Sequence, residues 1–92
     1  MVDKKKKEQA ERKQIKAEFS YILASLRHEL GYSQERLAAE SKLDSKTIGR
    51  LETRETGPEV RTILKLAQGL KVSPGFLMDL LAEKINLDEL DE

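Results

Sequence analysis

The stretch SQERLAAESKLDSKTIGRLE, residues 33–52, decides the fold, because it encodes two short helices joined by a link of very few residues. Ser33 is a favourable N-cap for the first helix, which is predicted to run to about Ser41, and Asp44 caps a second helix through about Thr53. The residues predicted to face inward are Leu37, Ala38, Ile48 and Leu51. A link this short forces a large crossing angle, so the pair cannot lie flat as an antiparallel hairpin.

Outside this pair the apolar spacing predicts three more helices, which gives an all-α domain of five helices. The first begins at Ile15 and stops at Gly31, the fourth has Pro58 in its first turn, and the fifth starts at Ser73-Pro74. The inward residues expected in these three helices are Ile15, Phe19, Ile22, Leu23, Leu26 and Leu30, then Val60, Ile63, Leu64, Ala67 and Leu70, and finally Phe76, Leu77, Leu80, Leu81 and Ile85.

The two ends of the chain differ from its middle and from each other. Residues 1–14 contain almost nothing apolar and are predicted to form a flexible charged arm, which is either disordered or a fraying helix. Residues 15–85 are predicted to form the domain and residues 86–92 an acidic tail. Residues 1–16 carry seven basic and three acidic side chains, and residues 59–92 carry four basic and seven acidic ones. Although the net charge is zero, this asymmetry permits binding of a polyanion on one face. The arm is interpreted either as a solvated tail or as a source of phosphate contacts.

Composition excludes several classes of function. The chain has no cysteine and a single histidine, His28, which is expected on the surface, so most nucleophile–base pairs and metal sites are not available. We therefore expect no enzyme activity, no metal site, no cofactor and no small-molecule ligand. The sequence contains no signal peptide and no apolar run long enough to span a membrane, which indicates a cytoplasmic protein without a membrane partner.

The short helix pair has a geometry that proteins use to bind DNA. In a helix-turn-helix, the first helix packs across the DNA backbone and the second projects its solvent face into the major groove. That arrangement requires a small residue between the helices, which Ala38 supplies, and a polar outer face on the second helix. The outward residues of that helix are Ser45, Lys46, Gly49 and Arg50. Glu52 is expected to be structural and to pair with an arginine such as Arg36.

These segments closely resemble the Cro/repressor-type (XRE, lambda-repressor-like) helix-turn-helix family. The resemblance is carried by residues 33–38 and 43–52, and then by residues 58–67 and 70–73, and it covers about residues 19–81 without an internal gap. It implies a five-helix lambda-repressor-like domain that binds double-stranded DNA and regulates transcription, most simply as a repressor. Such a protein is cytoplasmic and is associated with the nucleoid when bound to DNA.

The resemblance also implies roles for individual residues. It places Ser45, Lys46 and Arg50 at positions that reach base edges. It places Gln34 at a phosphate, and Thr47, Thr53 and Arg54 along the DNA backbone. Arg50 is the best candidate for direct readout, because its planar fork can bond guanine O6 and N7 together. The chain departs from the family pattern in two places: Lys42 stands where the link commonly has glycine, and Gly49 stands where the family usually carries a side chain.

The fifth helix has more apolar residues than one face of a short helix buries in a monomer. We interpret it as a two-fold interface of a homodimer, with a longer core helix as the other interpretation. The predicted interface residues are Phe76, Leu77, Leu80, Leu81 and Ile85. In this respect the chain resembles restriction–modification controller proteins, which are short dimeric members of the family. An alternative function is a protein-interaction module, such as an antitoxin or coregulator, that uses the same fold without specific DNA readout.

Overall fold

A computed structural model describes residues 3–85 and shows five α-helices, with no strand in that range. The helices are α1 (Lys4–Glu29), α2 (Gln34–Ser41), α3 (Ser45–Glu52), α4 (Val60–Leu70) and α5 (Pro74–Lys84). The prediction of an all-α, five-helix domain is confirmed. The predicted acidic tail, residues 86–92, lies outside the described residues.

Helix α1 is longer than the apolar pattern predicts, because it begins at Lys4 instead of Ile15. Asp3 is its N-cap, and the Asp3 carboxylate accepts a hydrogen bond of 3.0 Å from the Lys5 amide. Once the core half of a helix has formed, each added residue gains a backbone hydrogen bond without a new nucleation cost. Residues 4–14 are therefore helical without an apolar face of their own. The domain boundary between residues 14 and 15 stays a prediction.

Four of the five helices are followed by one residue in the left-handed conformation. In each case two backbone amides after the helix donate hydrogen bonds to carbonyls of its last turn. After α2, for example, the Lys42 amide donates to the Ala39 carbonyl and the Leu43 amide to the Ala38 carbonyl. The left-handed residues are Gly31, Lys42, Arg54 and Lys71. Lys42, which stands where the family's link commonly has glycine, has φ 54° and ψ 45°.

The core lies where α2, α3 and α4 meet the C-terminal half of α1 and one face of α5. Its apolar residues are Phe19, Ile22, Leu23, Leu37, Ala38, Ile48, Leu51, Ile63, Leu66, Ala67, Leu70, Leu77 and Leu81. Ile15, Leu26, Leu80 and Ile85 are partly buried against it. The expectation for Leu30 is wrong, since it follows the end of α1 and is 38% exposed.

Helix α4 departs most from its sequence prediction. It begins at Val60, so Pro58 lies in the preceding loop and not in the first turn. Val60 is 75% exposed and Leu64 54% exposed, whereas both were expected to be buried. The rotation of α4 is set by Gly69, where an added Cβ would overlap the Oγ of Ser41 on α2. This close approach turns Val60 and Leu64 outward and brings Leu66 into the core.

Candidate nucleic-acid interface

Helices α2 and α3 form a helix-turn-helix whose geometry is fixed by two N-caps and a three-residue link. Ser33 Oγ accepts a hydrogen bond of 3.0 Å from the Arg36 amide, and Asp44 Oδ1 accepts one of 3.0 Å from the Lys46 amide. Ile48 and Leu51 are at most 2% exposed, so α3 is anchored by its inner face. The outer face of α3 is consequently held in one orientation.

The outer face of α3 carries free polar side chains. Ser45, Lys46 and Arg50 are exposed, and within residues 3–85 none of their side chains makes a hydrogen bond or ion pair. Gly49 lies between them and faces Gln34, whose Oε1 would be 3.8 Å from an added Cβ. Since that distance is an ordinary van der Waals contact, packing does not require glycine here. The missing side chain leaves a shallow depression in the outer face of α3.

A buried polar network joins three helices behind this face. Arg27 of α1 donates from Nε to Glu52 Oε2 at 2.7 Å and from Nη2 to Glu52 Oε1 at 2.8 Å. These two hydrogen bonds form a bidentate salt bridge. The third arm of the guanidinium, Nη1, donates to the Tyr32 carbonyl at 2.7 Å. Glu52 Oε1 also accepts a hydrogen bond of 3.0 Å from Nε2 of the Gln34 side chain on α2. The network therefore fixes α3 to α1 and to the start of α2.

Glu52 pairs with an arginine, as expected, but that arginine is Arg27 and not Arg36. Arg36 instead donates to Glu40 one turn further along α2, at 2.9 Å, and its guanidinium carbon lies 4.8 Å from the centre of the Tyr32 ring. Arg36 is exposed, whereas Arg27, at 9% exposed, is the only charged side chain among the buried residues of the described range 3–85. A buried arginine needs a carboxylate more than an exposed one does, because it has lost its water.

The network also perturbs the ionisation of its members. Burial alone would raise the pKa of Glu52, but the hydrogen bonds from Arg27 and Gln34 outweigh it and hold the pKa below its ordinary value. The hydrogen bond to Glu52 raises the pKa of Arg27. Both groups are thus charged at neutral pH, and the negative charge of Glu52 is neutralised within the protein.

The predicted backbone contacts surround α3. Gln34 is half-buried at the start of α2, Thr47 is half-buried on α3, and Thr53 and Arg54 are exposed just beyond it. The Thr53 hydroxyl donates to the Arg50 carbonyl at 3.3 Å. All the predicted base and backbone residues therefore lie on α3, at the start of α2, or in the loop after α3.

The structure adds four polar residues to this surface that the sequence analysis does not predict. A cleft of about 260 Å³ beside α3 is lined by Thr47 and Arg50 together with Thr56 and Glu59 of the loop and Arg61 and Thr62 of α4. Arg61 is the only basic residue in the first turn of α4, and that position was a signal in the sequence. The apolar spacing of α4 predicts a core helix and by itself gives no role to Arg61.

The predicted interface residues of α5 divide into two groups. Leu77 and Leu81 are 1% and 7% exposed and belong to the core of the single chain, while Phe76 is 44% exposed and Leu80 and Ile85 are half-buried. Phe76 and Leu80 line a groove of about 290 Å³ between α5 and α1, and Tyr21, Ile22 and Leu26 line its α1 side. An open apolar groove with two exposed aromatic rings is the main hydrophobic surface feature of the α1–α5 face.

Comparison with known proteins identifies the class. The model of the helix-turn-helix family matches residues 23–77, more than half of the chain. The chain belongs to this family, and it is a DNA-binding transcription regulator. No curated protein matches it in sequence.

Its structural neighbours are restriction–modification controller proteins. The wild-type controller protein C.Esp1396I superimposes with a TM-score of 0.68 and 26% identity, covering 76% of this chain and 91% of that one. A tyrosine-to-phenylalanine variant of the same controller superimposes with a TM-score of 0.69 and 26% identity, covering 76% of this chain and 89% of that one. An arginine-to-alanine variant superimposes with a TM-score of 0.65 and 27% identity, covering 73% of this chain and 89% of that one. The resemblance seen in the sequence, to the family and to controller proteins, is confirmed. Among the described residues, no helix is long and apolar enough to cross a membrane.

Proposed function

We propose that this protein is a homodimeric, sequence-specific transcriptional repressor that binds an inverted repeat in double-stranded DNA. The observation that carries the proposal is the free polar face of α3, with Ser45, Lys46 and Arg50, rigidly oriented by the buried Arg27–Glu52 pair. We place its action in the cytoplasm, on the nucleoid. Repression follows from occupancy, because a bound dimer covers the DNA that a polymerase would otherwise contact.

Arg50 carries most of the proposed sequence readout. It sits in the last turn of α3 with no partner for its side chain in residues 3–85, so its guanidinium is free to form a bidentate pair with a guanine. Lys46 lies one turn earlier and contacts a second base or an adjacent phosphate. Ser45 is short and accepts or donates, so it discriminates least. The low surface at Gly49 lets α3 approach the base edges closely.

Phosphate contacts fix the register of α3 in the groove. Gln34 has one amide hydrogen bonded to Glu52 and a second free to donate to a phosphate. Thr47, Thr53 and Arg54 extend the proposed contact line along the loop, and Arg61 and Thr56 join it across the cleft beside α3.

The groove between α1 and α5 is the proposed dimer interface. Phe76, Leu80 and Ile85 are the predicted residues able to face a partner, while Leu77 and Leu81 support them from the core. Tyr21 is 66% exposed and adds a second aromatic ring to the same groove. A second copy of the chain buries this surface and places two α3 helices at half-sites about 34 Å apart.

Selection from a random library of duplex DNA tests the readout. We expect an enriched inverted repeat, and we expect Arg50→Ala to weaken binding to it by about 1–3 kcal/mol while relaxing preference at one base position. Lys71→Gln is the matched control, because it removes a charge at the far end of α4. Equal losses on selected and random DNA would make Arg50 a phosphate contact. No enrichment at low salt would favour the protein-interaction module instead.

Sedimentation tests the dimer. We expect Phe76→Glu to produce monomers, because it places a charge in the groove. Met78→Glu is the matched control, since Met78 is 46% exposed on the same helix but does not line the groove. A Phe76→Glu protein that remains dimeric would contradict this interface.

A further inference from the structure

The helical extension at the start of α1 meets the loop that follows α3. A surface cleft of about 360 Å³ is lined by Gln9, Arg12, Lys13, Lys16 and Ala17 of α1 and by Arg54 of the loop. The loop also rests on α1 at Gly57, where an added Cβ would lie 3.5 Å from Lys16 Cγ. The arm, which the sequence predicts to be either a solvated tail or a source of phosphate contacts, therefore borders the proposed DNA-contacting loop.

The charged residues of the extension are arranged by helical periodicity. Lys5, Gln9, Arg12 and Lys16 recur at intervals of four and three residues, so they lie on one face of α1, with Lys13 beside them. The acidic residues Glu8 and Glu11 do not line this cleft. We call the set Lys5, Arg12, Lys13 and Lys16 the basic stripe.

The six residues that line this cleft include four positive side chains and no carboxylate. Acidic side chains line two other clefts that share residues with it: Glu8 beside Lys5 and Arg12, and Glu59 beside Arg12 and Lys16. Within residues 3–85, the side chains of Arg12, Lys13, Lys16 and Arg54 make no ion pair or hydrogen bond. Like charges brought together in this way repel one another, and a bound polyanion relieves that repulsion.

We propose that the basic stripe binds the phosphodiester backbone of the DNA that flanks each half-site. This inference rests on the proposed function, because Arg54 links the stripe to the phosphate contacts around α3. The twelve residues from Lys5 to Lys16 span about 16 Å of helix, since eleven steps of about 1.5 Å separate the first from the last. That length matches roughly five phosphates of one strand, at 3.4 Å of DNA axis each. The stripe thus lengthens the footprint beyond the bases that α3 reads, and it adds affinity without adding sequence preference.

Arg12→Gln tests the stripe, with Lys71→Gln as a control that removes the same charge away from the cleft. Binding is measured across salt concentrations on the selected operator, once with long flanks and once with the flanks trimmed to the half-sites. On the long duplex we expect the slope of log affinity against log salt to become shallower by about 0.9 per lost phosphate contact for Arg12→Gln. On the trimmed duplex Arg12→Gln should match the wild type, and Lys71→Gln should match it on both. Circular dichroism checks that both variants remain folded.

Two results would overturn the proposal while leaving the repressor function intact. One is equal salt slopes for Arg12→Gln and Lys71→Gln on the long duplex, which is also the outcome if the stripe binds an acidic protein. The other is a defect of Arg12→Gln that persists on the trimmed duplex, which would place Arg12 over the half-site itself. If the wild type selects no sequence and shows no salt-dependent binding, both proposals fail together.

Discussion

Helix α1 is one continuous helix with two dissimilar halves. Its C-terminal half, residues 15–29, supplies the core with Phe19 and Leu23 and anchors α3 through Arg27. Its N-terminal half, residues 4–14, leaves most of its side chains in solvent and packs no apolar residue into the core. The comparison shows that a helix packed at one end extends beyond its contacts when the sequence carries good helix formers and a capping aspartate. The extension therefore adds charged side chains and length to α1, and it adds no apolar residue to the core.

Proline substitution in each half gives the largest expected contrast. Ala24→Pro removes a backbone hydrogen bond and causes a clash in the core half, so we expect a loss of about 3 kcal/mol or more. Ala10→Pro makes the same change in the exposed half and should leave the global free energy of unfolding unchanged. Its cost should appear only as lower helical ellipticity from residues 4–9. Urea unfolding followed by circular dichroism measures both. A large global loss in Ala10→Pro would mean that the halves form one cooperative unit.

Arginine-to-alanine substitution separates the roles of the two halves. Arg27→Ala leaves the Glu52 carboxylate buried without its counterion, and we expect a loss of about 3 kcal/mol of folding stability. Arg12→Ala removes an exposed side chain and should change stability by less than about 0.5 kcal/mol, while weakening DNA binding. Thermal unfolding and DNA titration of both variants make the test. If Arg27→Ala were as stable as wild type, the network would be dispensable for the fold.

The pH dependence of the free energy of unfolding tests the ion pair between Arg27, in the packed half of α1, and Glu52 of α3. The pKa of Glu52 lies below its ordinary value of 4.5, so the pair stabilises the fold above that value, and the contribution is lost as the pH falls through the depressed pKa. Arg27 stays charged throughout. We expect the stability gap between wild type and Glu52→Gln to narrow as the pH falls from about 5 to about 3. Denaturant unfolding at several pH values measures it, and a constant gap would assign the pH dependence to other carboxylates.

The smallest effect is expected where the two halves meet. The Oε1 atom of Gln14 is buried without a hydrogen-bond partner in the described residues. Replacing the amide by a thioether of similar length removes an unpaired polar group, so Gln14→Met should stabilise the fold by up to about 1 kcal/mol. Gln9→Met, one and a half turns earlier and exposed, is the control and should be neutral. A destabilised Gln14→Met protein would show that the amide has a partner in solution.

Much of the fold followed from local signals. Ser33, Asp44 and Ser73 cap helices as predicted, and Gly31 ends α1, because caps and left-handed turns depend on a few neighbouring residues. The rotation of α4 did not follow, since that helix is apolar on more than one side. The contact that decides the rotation, Gly69 against Ser41, joins residues 28 apart in the chain.

The site was only partly predictable for the same reason. The polar face of α3 is encoded within eight residues, and the structure leaves Ser45, Lys46 and Arg50 outside as expected. The choice of Arg27 over Arg36 as the partner of Glu52 depends on which arginine is buried, and periodicity alone does not rank them. The meeting of the basic stripe with Arg54 depends on how far α1 extends, which the lack of apolar residues concealed.

Three of the four left-handed helix ends carry a basic side chain where glycine would relieve about 1 kcal/mol of backbone strain. Since the folded fraction influences how much of a protein survives proteolysis, mutation at Lys42 or Lys71 can change the level of the regulator in the cell without touching the proposed base contacts. At Arg54 the two demands conflict, because glycine there would strengthen the fold and remove a proposed phosphate contact. Selection on abundance therefore acts alone at Lys42 and Lys71, whereas at Arg54 it opposes selection on the proposed phosphate contact, although all three residues share one backbone geometry.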